Sequence, residues 1–432
     1  VTVQLLNKDG NYLWGDTFPQ RISDLLTLQS EIVSRIVSKL RIKLREFQEY
    51  RLTKDPTNSA SAFECYARGR VLYYRRRSGA NDSAIAEFRR AIQLDSNYAQ
   101  AWAGLGDALA QRHGRFGHEY FWTDSALASS QRAIDLDTAL ADGYKAKAVA
   151  YSYRKEYDKA IALLHKAVQI SPTYVQAVGN LGANYLSKRD LTNALKWEIL
   201  SAGFEPSNWI PRQQIGWIYR LLGDHPQAVT TLRQSMEKPG GIQYDTFEHL
   251  GYTYVAMGRK KDALRLIEEL LDTEEKNTRV YETAGLIAHF AGEPGMAETY
   301  FEKSIELNSN YKDDRNTFSP LGLGQIRYTQ GNAVEGEIFL SHAMYNFKTD
   351  LENGSQSADL PYYIAAVHAI RGERAEALTW IRKAMERNWL DHAMIEFGPY
   401  FTRYRNDKEF KEIVALLKSK TERMLKEVST NR

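Results

Sequence analysis

At 432 residues, with 57 basic and 54 acidic side chains, the chain is too long for one ordinary core unless it is built from repeats. Its net charge of +3 excludes a chain-wide basic footprint for nucleic acid. A hydrophobic content of 43% excludes intrinsic disorder, no run reaches the ~18 apolar residues of a membrane span, and the single cysteine, Cys65, excludes an internal disulfide or a cysteine metal site.

The first predicted element is a β-hairpin. Val1, Val3 and Leu5 alternate with Thr2, Gln4 and Leu6, and a second run passes through Tyr12, Trp14 and Phe18. Between them stands Asp9-Gly10, the dipeptide that best fits a tight hairpin turn. Next, Ile22, Leu25, Leu26, Leu28, Ile32, Val33, Ile36, Val37 and Leu40 make one broad apolar stripe, which predicts an amphipathic helix. A lone hairpin is marginal in water and cannot cover that stripe. The order strand, turn, strand, helix over residues 1–50 is similar to the C-terminal part of a small α/β domain, a likeness that implies further strands before Val1. The alternative is an open strand edge that pairs with a neighbouring chain. Residues 51–62 read as a linker. The basic stretch from Arg35 to Arg77, closing in Arg75-Arg76-Arg77, reads as a solvated helix face rather than a docking patch for an acidic partner.

From residue 63 the chain repeats itself. Tyr151, Tyr185 and Tyr219 recur at a step of 34, as do Ala160, Ala194 and Ala228, and Gly182 with Gly216, and Pro172 with Pro206. Leu250-Gly251, Tyr254 and Ala263 continue the series, followed by Ala284-Gly285, Ala297 and Phe301. Nine units are expected, starting near 63, 99, 141, 175, 209, 244, 278, 316 and 358, so that the array spans 63–391. The small residues sit where two helices cross closely, and the prolines end second helices because they lack an N–H. After Trp389, Phe410, Ile413, Val414, Leu417, Met424 and Val428 fall at helical spacing. Residues 392–432 are therefore predicted to be capping helices over the last unit.

This pattern of Leu-Gly, Tyr, Ala and Pro at a 34-residue step resembles the tetratricopeptide repeat. The resemblance implies an all-α, right-handed superhelical solenoid of about nine helix-turn-helix repeats, here preceded by the β-hairpin and helix. Val3-Gln4-Leu5, the Asp9-Gly10 turn, Leu13-Trp14, Leu26, Leu28-Gln29 and Glu31-Ile32 resemble the end of a TolB-amino-terminal-like domain. In bacterial signalling proteins that domain precedes such arrays, behind an upstream kinase, cyclase or winged-helix domain. This resemblance implies a sensory or adaptor role, in the cytoplasm or in the extracytoplasmic part of a membrane-anchored protein.

No catalytic set, cofactor motif or metal site is evident. Leu321-Gly322-Leu323-Gly324-Gln325 lacks the third glycine of a dinucleotide loop, and His113-x4-His118 with Glu119 has no further ligands. What remains is a surface. The repeat family's groove positions fall on Lys145, Tyr153, Gln213, Trp217, Arg220, Leu221, Glu248, Tyr252, Arg279, Glu282, His289 and Phe290. They imply a protein or peptide ligand in a concave groove, with no direct nucleic-acid contact. The Lys-and-Asn clamp of chaperone-binding members is absent, since Lys145 is followed by Val149, and Gly179 by Ala183. The expected function is a non-catalytic protein-binding scaffold. The alternative is a structural accessory subunit of a larger assembly.

Overall fold

The computed structural model describes residues 2–6, 12–17, 31, 32, 35, 56–114, 121–237, 243–273, 276–307, 318–352 and 354–430. At the N-terminus, β1 (Thr2–Leu6) and β2 (Tyr12–Thr17) pair antiparallel. Leu5 stands opposite Trp14, and the register slips between Leu5 and Leu6. The stripe of residues 22–40 lies outside the described residues, apart from Ile32.

Eighteen helices then form nine consecutive pairs. They are α1 (Ala60–Tyr74) with α2 (Ser78–Leu94), α3 (Ala99–Gly114) with α4 (Trp122–Leu136), α5 (Ala141–Tyr153) with α6 (Tyr157–Ile170), and α7 (Val175–Ser187) with α8 (Leu191–Phe204). The series continues with α9 (Trp209–Leu222) and α10 (His225–Met236), α11 (Tyr244–Ala256) and α12 (Lys260–Leu271), and α13 (Thr278–Phe290) and α14 (Pro294–Leu307). It ends with α15 (Phe318–Thr329) and α16 (Ala333–Glu352), then α17 (Asp359–Arg371) and α18 (Arg374–Glu386). Two more helices, α19 (His392–Glu396) and α20 (Lys408–Thr430), follow, with a 3-10 turn at Thr402–Tyr404 between them. The first helix begins at Ala60, capped by the Ser59 side chain, so helix already occupies the end of the stretch expected to be linker.

The repeat step is visible in the caps and close contacts. Asp190 and Asp224, 34 residues apart, each accept a backbone N–H at the start of a second helix. Gly216 and Gly285 sit where each first helix meets its partner. A Cβ there would come within 2.5 Å of Leu232 and of Phe301, respectively. Some repeats turn on a left-handed glycine, such as Gly223, whereas the turn between α7 and α8 carries Arg189 in that region, at φ 58°, as Arg76 and Lys155 do in two other turns.

The chain divides into two compact units, Val1–Tyr153 with 162–172, and 154–161 with Thr173–Arg432. The third pair straddles the division, and in the other eight pairs each first helix packs on its own second helix. The first unit is built around Phe88, Leu105, Leu109 and small alanines. In the second unit one core runs from Leu186 through Leu222 and Tyr252 to Trp389, Phe401 and Val428. Helix α20 lies against α8 and α9 as well as α19. The C-terminal segment thus reaches far beyond the terminal repeat that it was expected to cap.

One buried acid in this core has no partner. Glu198 of α8 is 1% exposed, and its Oε1 makes no hydrogen bond. It occupies the space left by Gly182, whose Cβ would meet that oxygen. Burial pushes its carboxyl well above the usual range. The native state therefore keeps a proton that the unfolded chain releases near the ordinary glutamate value. Stability should fall as pH rises above that value, by up to ~1.4 kcal/mol per pH unit, until the native carboxyl ionises. Glu198→Gln removes this slope, so urea midpoints at about pH 5 and about pH 7.5 should lie closer together for the variant than for the wild type.

Candidate functional site

The first helices of the repeats carry the predicted groove positions, and the structure divides those positions into a covered and an open set. The covering element is the chain's own segment from Trp389 to Tyr404. Asp391 Oδ2 lies 2.6 Å from Arg220 Nη2, with only 5% of the arginine side chain and 9% of the aspartate exposed. Tyr400 stacks on His289 at 5.7 Å and meets Phe290 edge-on at 5.9 Å, while Tyr252 packs against Phe290 at 4.3 Å. Trp389 stacks on Tyr362 of α17 at 4.6 Å, and the Tyr362 hydroxyl donates to the Met394 carbonyl. Arg189, from its left-handed turn, donates to Asp359 Oδ2 at 2.5 Å and lies over the Trp217 ring at 4.9 Å.

Arg220, Leu221, Tyr252, His289 and Phe290, placed in an open groove by the repeat pattern, are accordingly buried. For Arg220, His289 and Phe290 the physical reason is the segment that follows the last repeat, which sets Asp391 and Tyr400 against them. His289 has no hydrogen bond at either ring nitrogen, and burial pushes its pKa down to about 3. In the first unit, Lys145 is likewise not a groove cation. It is buried in an ion pair with Asp107, whose side chain is 1% exposed. Tyr153 packs against the core of α2 and α3. Glu282 is buried too, taking Arg279 Nη1 at 3.0 Å.

Gln213, Trp217, Glu248 and Arg279 line a cleft of about 320 Å³ that the C-terminal segment leaves open. It runs from Ala183, Leu186 and Ser187 at the end of α7, across α9 and the start of α11, to Arg279 and Phe318 at the starts of α13 and α15. Gln213 Nε2 donates to Thr246 Oγ1 at 3.0 Å, and Trp217 stacks on His249 at 4.8 Å. Arg279 bridges Asp245 at 2.9 Å and Glu282, and stands 4.0 Å from Glu248. The Tyr252 hydroxyl donates to Glu248 Oε1 at 3.1 Å. Burial pushes the Glu248 carboxyl up to about 7, with Arg279 opposing the rise and Asp245 and Glu282 adding to it. Burial holds the His249 imidazole neutral, and the positive charges of Arg220, Arg189 and Arg279 act in the same direction.

Sequence reasoning missed Gln214, Asp245, His249 and Phe318 as cleft residues. Asp245 and His249 lie one helical turn apart on α11 and flank Glu248, a signal that helical spacing alone could have supplied. Gly322 and Gly324 lie within α15, packed against Phe301 and Leu340. His118 and Glu119 lie outside the described residues. Among the described residues, no group of three or more His, Cys, Asp or Glu is disposed to hold a metal ion, and no helix is long and apolar enough to cross a membrane.

Paired helices with small residues at their crossings, repeated along the chain, make the helix-turn-helix solenoid fold of tetratricopeptide repeats. Residues 73–112 match the family model described as TPR repeat, and residues 278–311 match the one described as Tetratricopeptide repeat. A 75-residue stretch is 40% identical to the tetratricopeptide repeat domain-containing protein PYG7, chloroplastic, of Arabidopsis thaliana. The match covers 17% of this chain and 24% of that protein. A tetratricopeptide repeat protein from Parabacteroides merdae is similar over 58% of this chain and 95% of its own, at 18% identity and a TM-score of 0.42. YrrB, described as a TPR protein with an unusual peptide-binding site, is similar over 45% of this chain and 95% of its own, at 19% identity and a TM-score of 0.35.

Proposed function

We propose that this chain is a non-catalytic scaffold that holds an extended segment of a partner protein across the open cleft of its second unit, as the sensory or adaptor part of a larger bacterial signalling protein. The observation that carries the binding reading is the cleft itself. It is a concave surface across five successive first helices, with an aromatic wall at Trp217 and polar groups at Gln213, Asp245 and Glu248. Aromatic residues beside a few placed polar groups are what a binding hot spot requires. The signalling part of the reading rests on the resemblance of residues 3–32 to the domain that precedes such arrays.

A peptide library selected on the wild-type chain tests the binding reading. Selected peptides should lose about thirty-fold in affinity for a Gln213→Ala, Trp217→Ala variant of unchanged thermal midpoint, the loss of a hot spot worth ~2 kcal/mol. Undiminished binding to the variant would overturn it. A second reading, an accessory subunit of a larger assembly, is favoured by one other feature. Val334, Ile338 and Tyr345 on α16 are 80%, 64% and 67% exposed, at a spacing that puts them on one face of the helix.

A further inference from the structure

We infer that the cleft selects partners by a basic side chain, with a lysine or arginine of the bound segment seated between Asp245 and Glu248. The inference rests on the binding reading above and names the chemistry of that ligand. Its basis is the charge balance. Asp245, Glu248 and Glu282 share the single guanidinium of Arg279, which meets Asp245 and Glu282 at 2.9 and 3.0 Å but stays 4.0 Å from Glu248. At 4.0 Å the Arg279 nitrogen is beyond hydrogen-bond reach of Glu248 Oε2. The other neighbouring arginines are committed elsewhere, Arg189 to Asp359 and Arg220 to Asp391.

The remaining walls fit the same ligand. The cleft residues contributed by α7 and α9 are uncharged, and Phe318 is the only one from α15. The apolar stem of a long basic side chain can therefore lie along the Trp217–His249 stack while its head reaches the carboxylates. Asp245, with 63% of its side chain exposed, stands at the rim where an incoming cation first meets the site. Glu248, 16% exposed, stands deeper.

The test uses peptides selected on the whole chain, with Asp245→Asn, Glu248→Gln and Asp245→Arg variants beside it. Cleft-dependent peptides should carry a basic residue. Its replacement by glutamine should weaken wild-type binding by about tenfold or more and leave binding to the Asp245→Asn, Glu248→Gln double variant nearly unchanged. Asp245→Arg, a change at an exposed side chain, should shift the selected set toward acidic peptides. Peptides that need Gln213 and Trp217 but no basic residue would overturn this inference and leave the binding reading standing. Peptides indifferent to the Gln213→Ala, Trp217→Ala variant would overturn both.

Discussion

Asp391→Ala should destabilise the second unit by about 3–5 kcal/mol, the usual result of removing one partner from a buried ion pair. The substitution strands Arg220, whose side chain is 5% exposed and whose Nε already lacks a hydrogen bond. Urea denaturation followed by tryptophan fluorescence measures the loss. An Arg220→Met, Asp391→Leu double variant should recover most of it, because apolar side chains of similar volume need no compensating charge at this site. Hydrogen exchange gives the second readout. In a simple array each repeat feels only its neighbours, and loosening stays local. Here the pair joins the fifth repeat to the segment after the ninth, so protection should fall in α9 and in α17 through α20 together. Loosening confined to α9 and α10 would show that the segment contributes little to the stability of the face it covers.

Lys145→Met should have an effect of similar size in the first unit, about 3–5 kcal/mol near neutral pH. The substitution leaves Asp107 buried without its cation, and Asp107 Oδ1 already lacks a hydrogen bond. Burial raises the Asp107 carboxyl, and Lys145 is the chief opposing influence. Without Lys145 the native state will take up a proton at Asp107 that the unfolded chain releases above the ordinary aspartate value. The variant's deficit should therefore be small at about pH 4 and grow toward about pH 7, since stability falls with pH wherever the native state holds more protons. Lys145→Met with Asp107→Leu should abolish that growth. A deficit independent of pH would mean that lost packing, rather than stranded charge, sets the cost.

The nine pairs were legible because each repeat solves the same local problem. A small residue must sit at the crossing, as Gly216 does against Leu232, and a cap must start the second helix, as Asp190 and Asp224 do. These requirements recur at a fixed step, so periodicity reports them. Burial of the groove is not periodic. Arg189 and Asp359 meet across 170 residues of sequence, and nothing in the repeat around either one points to the other. The family's groove positions assign Arg220, Tyr252 and Phe290 to a binding face, but whether that face is open depends on one unrepeated stretch. A sign of this was present after residue 388. Trp389, Leu390, Met394, Ile395, Tyr400 and Phe401 are too apolar and too irregular for the outer face of a cap, and all six are buried. Gln213, Trp217, Glu248 and Arg279, which line the cleft, were assigned by position alone. The grouping of three carboxyl side chains around Arg279 became visible only when Asp245 and Glu282 could be placed beside it.

The return of the C-terminal segment to the middle of the second unit also bears on heredity. Open solenoids lengthen and shorten readily, because a duplicated or deleted repeat still finds a matching neighbour on each side. This unit lacks that freedom. One repeat more or fewer between Arg220 and Asp391 would carry the carboxylate out of phase with its guanidinium and set Tyr400 against a different helix from α13. Gene-level duplication inside this stretch should therefore be selected against even where every new junction is well packed. Variation in repeat number should be tolerated instead before Arg189, outside the closed circuit. An engineer extending the array would meet the same boundary.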